Sequence, residues 1–284
     1  MNNKWRSSMQ DIIDGHVHMR SYIDEKNLLE ICQASGIKQT VLVSIQNPQA
    51  GTGLPQSLYM KAKYPDQFYV FAGLNHATQL SHGTVTVPDL VQQVDAYVEM
   101  GCDGIKMIEC KPTSRQQMNI PVTDDYYADY WARVEQLGLP VVWHVNDPEE
   151  FWDPDKLPAW ARERHWGYGA EDVQKEQLYA EVDQVLARHP NLRIIFAHFY
   201  FLSADLPRAK RFLDTHPSVK FDLTPGIEML YNLSYHVDES REFFTHYADQ
   251  IVYGTDISSH LSVEQGSIRA GIVYRWMESN STFH

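Results

Sequence analysis

Cysteine is scarce, with three residues in 284, at Cys32, Cys102 and Cys110, an odd number containing no Cys-x-x-Cys pair. That scarcity argues against both a disulfide framework and a thiolate zinc site. No run approaches the roughly 18 consecutive apolar residues of a membrane span. The opening MNNKWRSSMQ also lacks the apolar stretch of a secretion signal. A cytoplasmic protein without a membrane partner is therefore expected. Basic charge is in deficit, 24 Lys and Arg against 37 Asp and Glu for a net −13, and no basic cluster interrupts it. Phosphate backbones would be repelled, which sets nucleic acid aside and favours a small-molecule substrate. A Gly-rich phosphate loop is missing too: where an open nucleotide-binding sheet would carry one, after the first strand, the chain reads Asp14-Gly15-His16-Val17-His18-Met19-Arg20. Gly51-Thr52-Gly53 is too short for that role and reads as a turn.

The apolar fraction of 43% and aromatic fraction of 12% are enough to bury a sizeable core. Short apolar or β-branched runs alternate with longer stretches of helical spacing, the βαβα pattern of a parallel sheet. Strands are expected over 11–18, 39–45, 68–75, 104–109, 140–145, 192–198, 219–223 and 251–255. Helices are expected over 25–35, 54–64, 88–100, 124–137 and 172–189, with three more around 206–215, 236–247 and 263–277. Gly36, Gly101 and Gly138 sit where a helix C-terminus wants a left-handed residue before the next strand. Eight such units in a chain of this length fit one (β/α)8 TIM barrel, residues 1–284, with a long segment inserted after the fifth strand at about 146–170.

Histidine is abundant, at thirteen, and several stand where strands end. Residues two apart on a strand share a face, so His16 and His18 can point together into the mouth of a barrel. His144, His198 and Asp256 lie at or just past the ends of later strands, where barrel active sites are built. Imidazoles and a carboxylate are the donor set of a divalent ion that keeps one position open for water. Such an ion lowers the pKa of its water to about 7, and a nearby carboxylate or imidazole can carry the proton.

At these residues the sequence resembles the amidohydrolase superfamily, in particular its amidohydrolase-related branch of metal-dependent hydrolases and decarboxylases. The likeness runs from Asp14-Gly15-His16-Val17-His18 through Gly104-Ile105-Lys106 and the His144 strand to the stretch Arg188 to His198 and Tyr253-Gly254-Thr255-Asp256. It implies a distorted barrel with one or two divalent metals at its mouth. The implied ligands are His16, His18, His144 and Asp256, with His198 either a second-metal ligand or an acid/base. A fourth-strand Lys carboxylated by CO2 can bridge two metals in this superfamily, and Lys106 stands at that place. A regular strand cannot aim both Lys106 and Glu109 inward, so one of them is expected to be structural. One ion is expected rather than two, zinc in the first instance and manganese as the alternative.

The segment 146–170 holds Phe151, Trp152, Trp160, Trp166 and Tyr168, and long loops at a barrel mouth serve as lids or walls. Trp166 with Arg20, Arg162 or Arg164 would wall a planar substrate and clamp its carboxylate. The same residue types equally suit a subunit interface, and a homodimer is a fold-level expectation. The expected reaction is hydrolysis of an ester, lactone or amide by metal-activated water, with Asp256 as base and His198 helping to steady the oxyanion. Non-oxidative decarboxylation of an aromatic or unsaturated acid is the alternative, and a barrel that binds without turnover a third.

Overall fold

A computed structural model describes residues 11–47, 51–226 and 228–278. The opening ten residues, read above for a secretion signal, lie outside them. Seven parallel strands follow one another around a sheet: β1 (Ile12–His18), β2 (Ile37–Val43), β3 (Phe68–Gly73), β4 (Gly104–Cys110), β5 (Pro140–Val145), β6 (Arg193–Phe196) and β7 (Lys220–Asp222). The eighth staves the barrel in two pieces. β8 (Ile251–Val252) pairs with β7, and β9 (Ile257–Ser258) pairs with β1. Between them Tyr253 O accepts from Gly15 N–H and His16 O accepts from Asp256 N–H, both at 2.9 Å. The last strand thus joins the first, and the sheet closes into a TIM barrel.

Helices α1 (Glu25–Ala34), α2 (Leu54–Lys63), α3 (Leu90–Glu99), α4 (Ala128–Leu137), α5 (Lys175–Arg188), α6 (Leu206–Thr215), α7 (Val237–His246) and α8 (Val263–Glu278) lie close to the expected bounds. α3 begins in a reciprocal capping box, Asp89 accepting from Gln92 N–H and Gln92 accepting from Asp89 N–H. The three C-terminal glycines take φ of 66°, 86° and 62°, which a side chain would resist. No helix among the described residues is long and apolar enough to cross a membrane.

Strand register decides which side chains reach the mouth. Val17 and Leu42 pair across β1 and β2 and join Leu28 and Ile31 of α1 in the outer core, so the alternate residues His16 and His18 face inward. Lys106 pairs with Val142, which packs with Val43, Phe71 and Ile195 inside the barrel, so Lys106 and, two residues beyond Val142, His144 also face inward.

Two strands end differently from expectation. The sixth stops at Phe196, because His198, Phe199, Tyr200 and Phe201 all take left-handed φ between 50° and 58°. Such a turn costs about 1–2 kcal/mol per residue and persists only where tertiary contacts hold it. Here Asp222 Oδ1 accepts from His198 N–H at 2.8 Å, and Tyr179 Oη–H donates to Tyr200 O at 3.0 Å. The eighth breaks at Asp256, whose φ is 53°. Both departures bring a candidate site residue, His198 and Asp256, to the lining of the barrel mouth.

Candidate metal centre and active site

The two first-strand imidazoles are each fixed from behind. His16 Nδ1 lies 2.8 Å from Asp222 Oδ2, and His18 Nδ1 lies 2.9 Å from Val43 O. A carbonyl and a carboxylate can only accept, so both Nδ1 atoms carry the proton and both Nε2 atoms are left with a bare lone pair. Burial keeps the rings neutral: it drives His16 down to about 4 and lowers His18 as well.

These lone pairs meet a carboxylate. His18 Nε2 stands 3.1 Å from Asp256 Oδ1. Two acceptors at that distance repel each other unless a proton or a cation lies between them. Donors at about 2.1 Å from a common ion would have such a separation. Among the described residues, His16, His18 and Asp256 form the group of candidate donors whose atoms all lie within 4.8 Å of one another. The residues therefore fit a divalent ion. Asp256 Oδ2 accepts from Arg269 Nη2 at 3.2 Å, which fixes the carboxylate from its other side.

His144 is placed beside this group rather than within it. Its ring centroid is 4.7 Å from that of His198, and its Nε2–H donates to Asn146 O at 2.9 Å. The nitrogen of His144 left with a lone pair is consequently Nδ1. His198 is 6.0 Å from His16 between ring centroids, and its Nδ1–H donates to Thr224 O at 3.2 Å. That arrangement leaves His198 Nε2 as a proton acceptor. Burial drives His198 down to about 3.

Lys106 and Glu109 both face the interior, against the expectation from regular alternation, and both line one chamber beside the mouth, although only Lys106 reaches the ligand group. Lys106 Nζ lies 3.4 Å from His16 Nε2, and burial brings its ammonium down to about 8. Glu109 Oε1 is instead 2.8 Å from His76 Nε2, and its Oε2 accepts from Ile108 N–H at 2.7 Å. The register of β4 on β5 shifts between Met107 and Cys110, so this stretch is bulged rather than regular.

The mouth opens into a cavity of about 950 Å³. Arg20, Arg164 and Trp166 line it, together with Lys111 and Arg269, which the sequence did not single out. Arg20 Nε donates to Ser258 Oγ at 3.1 Å, and the Arg164 guanidinium lies 5.2 Å from the Trp166 ring centroid. Segment 146–170 forms one wall: Tyr168 Oη–H donates to Asp147 Oδ2 at 2.5 Å, Lys111 Nζ grips the same carboxylate at 2.6 Å and lies 4.3 Å over Trp166. Arg162, by contrast, donates to Pro154 O within the segment.

Asp222 is the important residue the sequence reading missed. It orients His16, caps the His198 turn and receives Thr224 Oγ1–H at 2.5 Å; burial opposes its charge, yet His16 and Thr224 hold it down to about 2. Its place at the C-terminal end of the seventh strand was the available signal. Arg269, on α8, offered none.

The sequence matches the amidohydrolase family over residues 13–258. No curated protein sequence matches it. Among solved structures it is similar to an uncharacterised TIM-barrel protein of Bordetella bronchiseptica, at 15% identity and a TM-score of 0.60, covering 91% of this chain and 89% of that one. A probable 2-pyrone-4,6-dicarboxylic acid hydrolase of Acinetobacter baumannii superposes with a TM-score of 0.56 at 14% identity, over 93% and 92% of the two chains. A 2,6-dihydroxybenzoate decarboxylase from Rhizobium gives 0.56 at 15% identity, over 97% and 94%. At these identities the structural likeness concerns the fold. The match over most of the chain carries the classification: this protein belongs to the amidohydrolase family and is an enzyme of that superfamily.

Proposed function

We propose that the protein is a metal-dependent hydrolase acting on an ester, lactone or amide bond of a small carboxylate-bearing substrate. The observation that carries this reading is the convergence of His16, His18 and Asp256, with both imidazoles held through Nδ1 so that their Nε2 atoms are turned toward the Asp256 carboxylate. His16, His18 and Asp256 would hold one divalent ion, zinc or manganese, with His144 Nδ1 as the candidate fourth donor. The single convergent group among the described residues supports one ion rather than two. When bound, such an ion polarises the substrate carbonyl and acidifies water.

The chain's own residues do the rest. Asp256 takes a proton from the attacking water and returns it to the leaving oxygen or nitrogen. His198 Nε2, bare in this tautomer, is a second acceptor for that proton. A bare nitrogen cannot donate to an oxyanion, so we assign that role to the Lys106 ammonium, whose Nζ lies 3.4 Å from His16 Nε2 at the edge of the ligand group. Arg20, Arg164, Lys111 and Arg269 put positive charge around the cavity of a protein whose net charge is −13. That local reversal supports an anionic substrate.

The buried Lys106 amine also favours a second reading, decarboxylation, in which it would hold the carboxylate that leaves. Both similar enzymes named above carry a carboxylic acid in their substrate names. Three buried free thiols agree with a reducing compartment such as the cytoplasm. The test is incubation of the metal-loaded protein in 18O-water with aryl and alkyl carboxylates bearing ester or lactone bonds, and with aromatic acids. Hydrolysis introduces one 18O into the product acid with all carbon retained. Carbon lost as CO2 supports the second reading, and no turnover across the panel contradicts both.

A further inference from the structure

A second chamber of about 370 Å³ opens beside the main cavity, and Lys106, Ile108, Leu80 and Gln46 border both. Its depth is built from the end of β3 and the short helix that follows, Ala77–Leu80, facing the small helix Pro112–Met118 after β4. Leu74, Ala77, Val85 and Met118 give it apolar walls. Its buried polar groups are already paired: His76 bonds Glu109 at 2.8 Å through Nε2 and the Tyr126 hydroxyl at 2.9 Å through Nδ1. Groups satisfied in this way make few demands on a ligand, so the chamber discriminates by shape and apolar area.

We infer that this chamber is a specificity subsite that takes an aryl or medium-length alkyl arm of the substrate while the reacting carbonyl lies at His16, His18 and Asp256. The inference rests on the active-site reading above. Its threshold is Lys106, which lies 3.4 Å from His16 Nε2, so a substrate reaching the ligand group passes the chamber entrance. Volume agrees: an apolar cavity of about 150 Å³ suffices for a benzene ring. Glu109 has its place here too. It is not a bridging ligand but the buried partner that fixes His76 as a chamber wall.

The test uses two probes that share a carboxylate and differ by one ring, butyrate and 4-phenylbutyrate, titrated calorimetrically into the metal-loaded full-length protein. Burying the ring should make 4-phenylbutyrate at least about ten-fold tighter. Ala77→Phe, which fills the chamber, should bring that ratio to within about two-fold. Val85→Trp, at a half-exposed position on the rim, should lower the ratio as well and tests the same point where the core is untouched. A wild-type ratio near one, including failure of both probes to bind at millimolar concentration, overturns the inference, as does a ratio that both variants leave intact. If the ring preference is present and vanishes in the variants while no ester, lactone or amide is turned over, the subsite stands and the hydrolytic reading alone fails.

Discussion

His18 Nε2 and Asp256 Oδ1 face each other at 3.1 Å because each is held by something else: His18 by the Val43 carbonyl, Asp256 by Arg269. The His-x-His pair and the terminal Asp were legible in the sequence, since strand alternation fixes the shared face and strand ends mark the barrel mouth. The tautomers were not, because the acceptors that set them, Val43 O, Asp222 and Thr224 O, come from other strands. Glu228 shows another residue-scale consequence of burial. Both its carboxylate oxygens lack a hydrogen-bond partner. Burial first, with Glu150 and Asp147 adding to it and Lys175 opposing, pushes its pKa from 4.5 up to about 7. A carboxyl with a raised folded pKa favours folding when protonated, and that contribution is lost as pH rises from about 4.5 through about 7. Glu228→Gln should therefore stabilise the protein above neutrality by an amount on the order of 3 kcal/mol, and far less at about pH 5. Urea denaturation at the two pH values reads the difference, and equal effects at both would contradict it.

At the scale of elements, helix ends were the most legible feature, because Gly36, Gly101 and Gly138 encode a local backbone requirement. The end of the sixth strand was illegible for the opposite reason. Nothing in Phe196 to Phe201 announces four left-handed residues, and the turn exists because Asp222 and Tyr179 hold it from elsewhere in the chain. The segment 146–170 was recognisable as a wall by its aromatic content, but its anchor was not. Asp147 collects Lys111, Tyr168 and His144, tying the wall to the ends of β4 and β5. Tyr168→Phe removes one charge-assisted donor from a buried carboxylate, a loss of about 1.5–3 kcal/mol to the local structure. Limited proteolysis should then nick the exposed stretch 154–156 faster than in the wild type, with the barrel left intact. Unchanged nicking would mean the wall is held by its apolar cluster of Phe151, Ala161 and Tyr168 instead.

Across the whole molecule, closure of the barrel and construction of the site are one event, because the segment between β8 and β9 both completes the sheet and carries Asp256. Asp14, fully buried at the seam, accepts from Thr255 Oγ1 at 2.6 Å and Thr255 N at 3.2 Å. Thr255→Val leaves that carboxylate short of a donor and should lower global stability by about 1–3 kcal/mol, seen as an earlier single transition in denaturant. A separate early transition for the C-terminal elements would show instead that closure is not coupled to the rest.

Metal titration of chelator-stripped protein, followed by elemental counting, decides whether His16, His18 and Asp256 hold one divalent ion. About one zinc or manganese per wild-type chain is expected, and none retained by the folded His16→Ala/His18→Ala double variant. A wild-type chain that takes up no metal, or a double variant that keeps its full equivalent, would contradict it.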